Sequence, residues 1–148
     1  MEGIIFIGIQ ASGKSTFYQE NFFYSHIRIS MDLMKTRNRE SKILNTCLST
    51  QAKIVVDNTN PMCDDRARYI DVFKQHKYEI IGYYFSANLN QSLRLNDKRT
   101  GKQKIPEVGI KATYRKLEIP KYSEGFDRLY YVKMENQKFK VDEWNNDI

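Results

Sequence analysis

Gly8-Ile9-Gln10-Ala11-Ser12-Gly13-Lys14-Ser15-Thr16 stands directly behind the apolar run Ile4-Ile5-Phe6-Ile7, and this junction decides the fold. The nonapeptide contains a complete G-x-x-x-x-G-K-[ST] phosphate-binding pattern. A strand delivers the chain into a tight turn. The glycines then let backbone N–H groups wrap a phosphate, while the following helix points its positive N-terminal end at the same anion. The expected nucleotide contacts are Gly8, Gln10, Ala11, Ser12, Gly13, Lys14, Ser15 and Thr16. Lys14 reaches the β- and γ-phosphates as a point charge, and Ser15 Oγ is the expected ligand of the bridging magnesium. The plainer alternative is a glycine-rich turn with a solvated lysine. It would need neither the strand before nor the helical Phe17-Tyr18 stretch after.

Outward from that junction, apolar runs recur at Ile4 to Ile9, His26 to Ser30, Ala52 to Val56, Tyr78 to Phe85 and Leu129 to Val132. Between them lie stretches of helical length: Lys14 to Phe22, Leu33 to Thr50, Asp64 to His76, Leu89 to Arg99 and Glu107 to Leu117. Apolar residues in them fall at three and four spacing, as in Tyr69, Val72 and Phe73. Strand and helix in alternation predict βαβ units. The expectation is an α/β fold with a mostly parallel five-stranded sheet, helices on both faces and a ligand crevice at the strand C-terminal ends. The basic, glycine-containing stretch of residues 96–106 is expected to be a lid over that crevice. The polar tail Lys138 to Ile148, with the lone Trp144, is assigned no element.

At 148 residues, 41% hydrophobic and 28% charged, the chain has room for one domain with a proper core, spanning residues 1–148. A net charge of +6 suggests an anionic partner, which nucleotide alone could satisfy. Cys47 and Cys63 are too few for a disulfide framework and lack zinc spacing, so they are expected to be reduced thiols. The short N-terminal apolar run has no basic flank, which argues against a signal peptide or membrane span. A cytoplasmic protein without membrane contact is the expectation.

A phosphate cradle alone binds nucleotide; transfer of a phosphoryl group also needs a base for the acceptor and cations for the developing charge. Asp32 follows the strand candidate Arg28-Ile29-Ser30 and opens the next helix, so it would project into the crevice as a base. Equally, Ser30 and Asp32 could simply cap that helix. Asp57 closes Ile54-Val55-Val56, as does an acidic residue that holds magnesium beside a phosphate loop, although a turn aspartate would look the same. The continuation Asn58-Thr59-Asn60-Pro61 lacks the D-x-x-G and N-K-x-D patterns of switch GTPases. Arg94, Lys98, Arg99, Lys102 and Lys104 are either a solvated basic face or a lid that lays a guanidinium on the γ-phosphate. Arg99 is the first candidate for that role and Arg94 the second.

Taken in order, the phosphate loop, Asp32-Leu33-Met34-Lys35, Asp57-Asn58-Thr59-Asn60, Arg66, Asn96-Asp97-Lys98-Arg99 and Pro106 resemble the kinase domain of 5′-hydroxyl polynucleotide kinases. More broadly they resemble the P-loop AAA-type kinase family that contains it. Tyr114 to Pro120 and Glu124-Gly125-Phe126-Asp127 are similar to the wider family, so the resemblance runs to about Val132. It implies an adenylate-kinase-like core, ATP or GTP as donor with Mg2+, and a 5′-OH end of DNA or RNA as acceptor. In that frame Asp32 matches the general base, Arg99 the lid arginine and Lys14 with Ser15 the phosphate and metal contacts. Lys35 and Arg66 fall on the acceptor side. Lys35 stands where these kinases usually carry arginine, which gives charge without a planar fork and puts the acceptor in question. No D-x-D-G-T phosphatase signature occurs.

Two other functions compete with polynucleotide phosphorylation. One is a small-molecule kinase of the same fold, acting on a nucleoside, sugar or antibiotic hydroxyl. The other is a nucleotide-gated binding module without turnover. Arg66 with Arg68 and the lid cations favour a polyanionic acceptor, and Asp32 together with Arg99 favours transfer.

Overall fold

The apolar run that opens the chain becomes β1 (Glu2–Ile7), with Ile4 through Ile7 almost wholly buried. Burial on both faces is what a central parallel strand needs, and it explains why the run does not alternate. The computed structural model describes residues 1–148. After β1 come α1 (Lys14–Asn21), β2 (Ile27–Ile29), α2 (Met31–Met34), α3 (Arg37–Ser49) and β3 (Ile54–Val56). The chain continues through α4 (Cys63–Gln75), β4 (Glu79–Phe85), α5 (Leu89–Asp97), α6 (Glu107–Lys116), β5 (Arg128–Glu135) and β6 (Lys138–Glu143).

The sheet order is β2-β3-β1-β4-β5-β6, and every pair is parallel except β5 with β6. From β1 the chain crosses to β2 on one side, and from β3 it crosses back over β1 to β4. The strand order therefore reverses at β1, and its C-terminal end opens onto the crevice where the phosphate loop sits. One face of the sheet packs against α3 and α4 through Leu44, Leu48, Tyr69 and Phe73. The other packs against α1 as a cluster of edge-to-face rings: Phe17 lies 5.9 Å from Phe6, 5.4 Å from Phe85 and 5.3 Å from Phe139. No helix is long and apolar enough to cross a membrane.

Two expectations are corrected here. The sheet has six strands, because the unassigned tail supplies β6 as an antiparallel edge. Asn136 and Gln137 both take left-handed conformations, φ 51° and 64°, which a two-residue hairpin turn requires. Trp144 then sits 5.9 Å from Tyr84 on the core. The continuous helix expected over Leu33 to Thr50 is broken at Lys35, whose φ is 71°. Thr36 restarts it by accepting Arg39 N–H at 3.2 Å. Asp32 and Lys35 are therefore not successive turns of one long helix: Lys35 ends the short α2 in a strained, exposed position.

Candidate active site

The phosphate loop is held from below by the segment after β3. Gly8 N–H donates to Thr59 O at 3.0 Å, and Asn60 Nδ2 donates to Phe6 O at 2.8 Å. Gly13 enters α1 with φ +96°, and a Cβ there would lie 2.7 Å from Phe139 and 2.8 Å from Met134. Both the backbone angle and the hairpin packed on the loop thus demand glycine. Ala11 also takes a left-handed φ of 55°, one of the few non-glycine residues to do so. Gln10 turns its side chain to α6, donating from Nε2 to Thr113 Oγ1 at 3.0 Å.

Lys14 is buried and donates to Ile9 O at 2.7 Å. Burial pulls its ammonium from 10.5 down to about 8; Asp57 opposes that, Arg99 lowers it further and Asp32 raises it. Lys14 is therefore within reach of the charges of Asp57, Arg99 and Asp32. Arg99 is half-buried and donates to Gln103 O at 3.4 Å. Its loop is closed at the base by Asn96, whose carboxamide donates to Ile105 O at 2.6 Å and accepts Ile105 N–H at 2.8 Å. Arg94 lines a cavity of about 450 Å³ with Gln91, Leu95, Asp97, Lys98, Met134 and Gln137, a lining that does not include Arg99.

Ser15 Oγ donates to Asp57 Oδ2 at 3.0 Å. These are two hard oxygen donors side by side, and there is no larger cage of His, Cys, Asp or Glu anywhere. Such a pair fits Mg2+, which commonly keeps water and takes its remaining ligands from phosphate. Asp57 also accepts Arg28 Nε at 2.8 Å.

The Asp32 side chain is exposed and makes no hydrogen bond, and Ser30, at the N-cap position of α2, makes no side-chain cap bond either. The cap comes instead from Asn58, whose Oδ1 accepts Met31 N–H at 2.9 Å. Asn58 is itself fixed by donating to Tyr69 Oη at 3.1 Å, and Tyr69 donates to the buried Glu40 at 2.8 Å. Burial first, then the Glu40 carboxylate, raises Tyr69 to about 12, so its hydroxyl stays a donor. The capping alternative for Asp32 is thus removed, and its carboxylate is free.

Arg66 is the corrected member of the candidate set. It is fully buried, forks onto Glu124 at 2.8 and 2.9 Å, and donates to the carbonyls of Asn60, Pro61 and Glu118. With its donors spent inside the protein it cannot hold an acceptor; it ties the β3–α4 turn to the segment before β5. Sequence reasoning missed Arg28, whose signal is a cation inside an otherwise apolar strand. It also missed the separate duties of Asn58, Thr59 and Asn60, whose only signal is three polar residues closing a buried strand.

A sheet of this order with its phosphate loop after β1 defines the P-loop kinase fold. No protein-family model matches the chain. Its resemblance to polynucleotide kinases extends along nearly the whole length. It is 24% identical over 148 residues, 97% of the chain, to the bifunctional polynucleotide phosphatase/kinase of Schizosaccharomyces pombe (strain 972 / ATCC 24843). A protein of Acanthamoeba polyphaga mimivirus with the same bifunctional description is 26% identical over 151 residues, 96% of the chain. The chain spans 36% and 35% of the length of these two relatives. Among solved structures, Chaetomium thermophilum Kti12 in complex with ADP-AlF3 superposes with a TM-score of 0.68 at 14% identity, over 90% of each chain. A gluconokinase from Sinorhizobium meliloti 1021 gives 0.60 at 15% identity, over 89% of this chain and 82% of its own. These likenesses establish the fold.

Proposed function

We propose that this chain transfers the γ-phosphoryl group of ATP to the 5′-hydroxyl of a DNA or RNA end. The observation that carries the proposal is the exposed, unpartnered Asp32 carboxylate, close enough to the phosphate-loop Lys14 for its charge to favour the ammonium. The descriptions of the two curated relatives support the acceptor.

In this reading the loop amides and Lys14 hold the donor phosphates. The base of the donor enters the cavity beside Arg94, between the apolar Leu95 and Met134 and the carboxamides of Gln91 and Gln137. Ser15 and Asp57 would hold magnesium, which supplies charge neutralisation at the phosphates when bound. Asp32 accepts the proton of the incoming 5′-hydroxyl as its oxygen attacks the γ-phosphorus. The bond to the β,γ-bridging oxygen breaks, and Lys14 and Arg99 hold the charge that builds on the leaving diphosphate and the transferring group. Lys35, exposed one residue beyond α2, supplies a cation for the phosphate flanking the acceptor sugar.

Incubation with γ-labelled ATP and a 5′-OH oligonucleotide tests the assignment. Label on the oligonucleotide, absent when its 5′ end is already phosphorylated, is the expected result. Label on nucleosides or sugars but not on the oligonucleotide would move the assignment to a metabolite kinase.

A further inference from the structure

The two oxygens suited to a metal are gripped by a cation of the protein itself. Arg28 reaches across from β2 so that Nε donates to Asp57 Oδ2 at 2.8 Å and its terminal Nη2 donates to Ser15 Oγ at 3.1 Å. Ser15 closes the triangle with its own hydrogen bond to the same Asp57 oxygen at 3.0 Å. Beneath the guanidinium lies the Tyr18 ring, 5.9 Å from Cζ. Asp57 is 2% exposed and the Arg28 side chain 23%. The carboxylate end of this fork is thus desolvated, while Ser15 and its contact with Arg28 stay open to solvent.

We propose that Arg28 is a resident counter-ion of the metal pair, and that a divalent cation enters by exchange with its guanidinium. The inference rests on Ser15 and Asp57 as the metal donors. A serine hydroxyl has one proton and two lone pairs. Here the proton goes to Asp57 and one lone pair to Arg28. A divalent ion on the other lone pair would stand within a few ångströms of a guanidinium fixed on the same oxygen, two positive charges repelling each other beside a buried carboxylate. One of the two cations must leave. Asp57 would keep the Ser15 hydroxyl, but a buried carboxylate without a cation beside it is costly. The pair is thus always occupied, by arginine or by metal. Arginine holds the Ser15 and Asp57 oxygens where the metal will need them, and it sets a threshold that a free divalent ion crosses poorly. The added negative charge of bound nucleotide phosphates shifts the exchange toward metal, so metal and nucleotide enter together.

Binding of Mn2+ alone, followed by water-proton relaxation without nucleotide or acceptor, reads the exchange independently of activity. Arg28→Gln should bind Mn2+ at least tenfold more tightly than wild type. Arg28→Lys, which keeps the charge but cannot fork, should fall between. Thermal unfolding supplies a second reading: Arg28→Gln should lose stability without metal and recover it in Mg2+, whereas wild type should barely respond to Mg2+ alone. Mn2+ affinity unchanged or weakened in both variants would overturn the exchange and leave the donor-site assignment standing. Mn2+ binding in the presence of ADP that is indifferent to Asp57→Asn would overturn the metal pair itself, and the exchange with it.

Discussion

Lys14 shows how a single residue is held ready at a cost. Its ammonium is buried and titrates at about 8 instead of 10.5, so the unfolded chain binds more protons than the folded one between those values. The cost is complete below pH 8 and is relieved as pH rises toward 10.5. Lys14→Met is therefore expected to raise the unfolding temperature at pH 7 while removing ATP binding, which thermal melts with and without nucleotide will check. For the wild type, phosphate binding needs the charged form. ATP affinity should be level below pH 8 and fall above it, approaching tenfold per pH unit, in a calorimetric titration series. The role of Lys14 was legible because its pattern is defined by local chain geometry. Arg28 and Asn58 were not, because what they touch is set by β2, β3 and α2 meeting in space.

At the scale of elements, the short α2 is the piece whose form departs most from expectation. No glycine or proline interrupts Leu33 to Thr50, and only the left-handed Lys35 with the Thr36 cap divides the stretch. Nothing in local spacing marks a lysine for positive φ. The break leaves Lys35 exposed at the end of the short helix that carries the exposed Asp32. Lys35→Ala should raise the KM for a 5′-OH oligonucleotide with little change in the ATP KM, and wild-type acceptor binding should weaken steeply with salt. Lys35→Arg should tighten the acceptor. Equal acceptor KM in wild type and Lys35→Ala would remove Lys35 from the site. Arg66 was misassigned for the complementary reason: sequence shows a cation at a familiar position but not its burial. Arg66→Ala strips the partner from Glu124 and should cost about 3–5 kcal/mol in denaturant unfolding, with the acceptor KM of the folded fraction unchanged.

For the whole molecule, the parallel core was readable because buried strands alternate with amphipathic helices at short spacing, and that alternation permits few topologies. The β6 edge was not read, since only Phe139 and Val141 alternate with charged residues over its six positions and its turn is Asn-Gln without glycine. Yet that edge brings Phe139 against Gly13 and against Phe17. Phe139→Ala should therefore loosen the phosphate loop it packs on and weaken ATP binding several-fold, a change that calorimetry will resolve. All these placements converge on one claim: donor phosphates at Lys14 and a hydroxyl at Asp32 meet across the β1 crevice. Single-turnover transfer from γ-labelled ATP to a 5′-OH oligonucleotide, in wild type and Asp32→Asn, tests it most directly. Because Asp32 caps nothing and bonds to nothing, the variant should keep its stability and ATP affinity while transfer slows roughly 100-fold or more. Transfer within a few-fold of wild type, or no label on the 5′ end in either protein, would contradict the account.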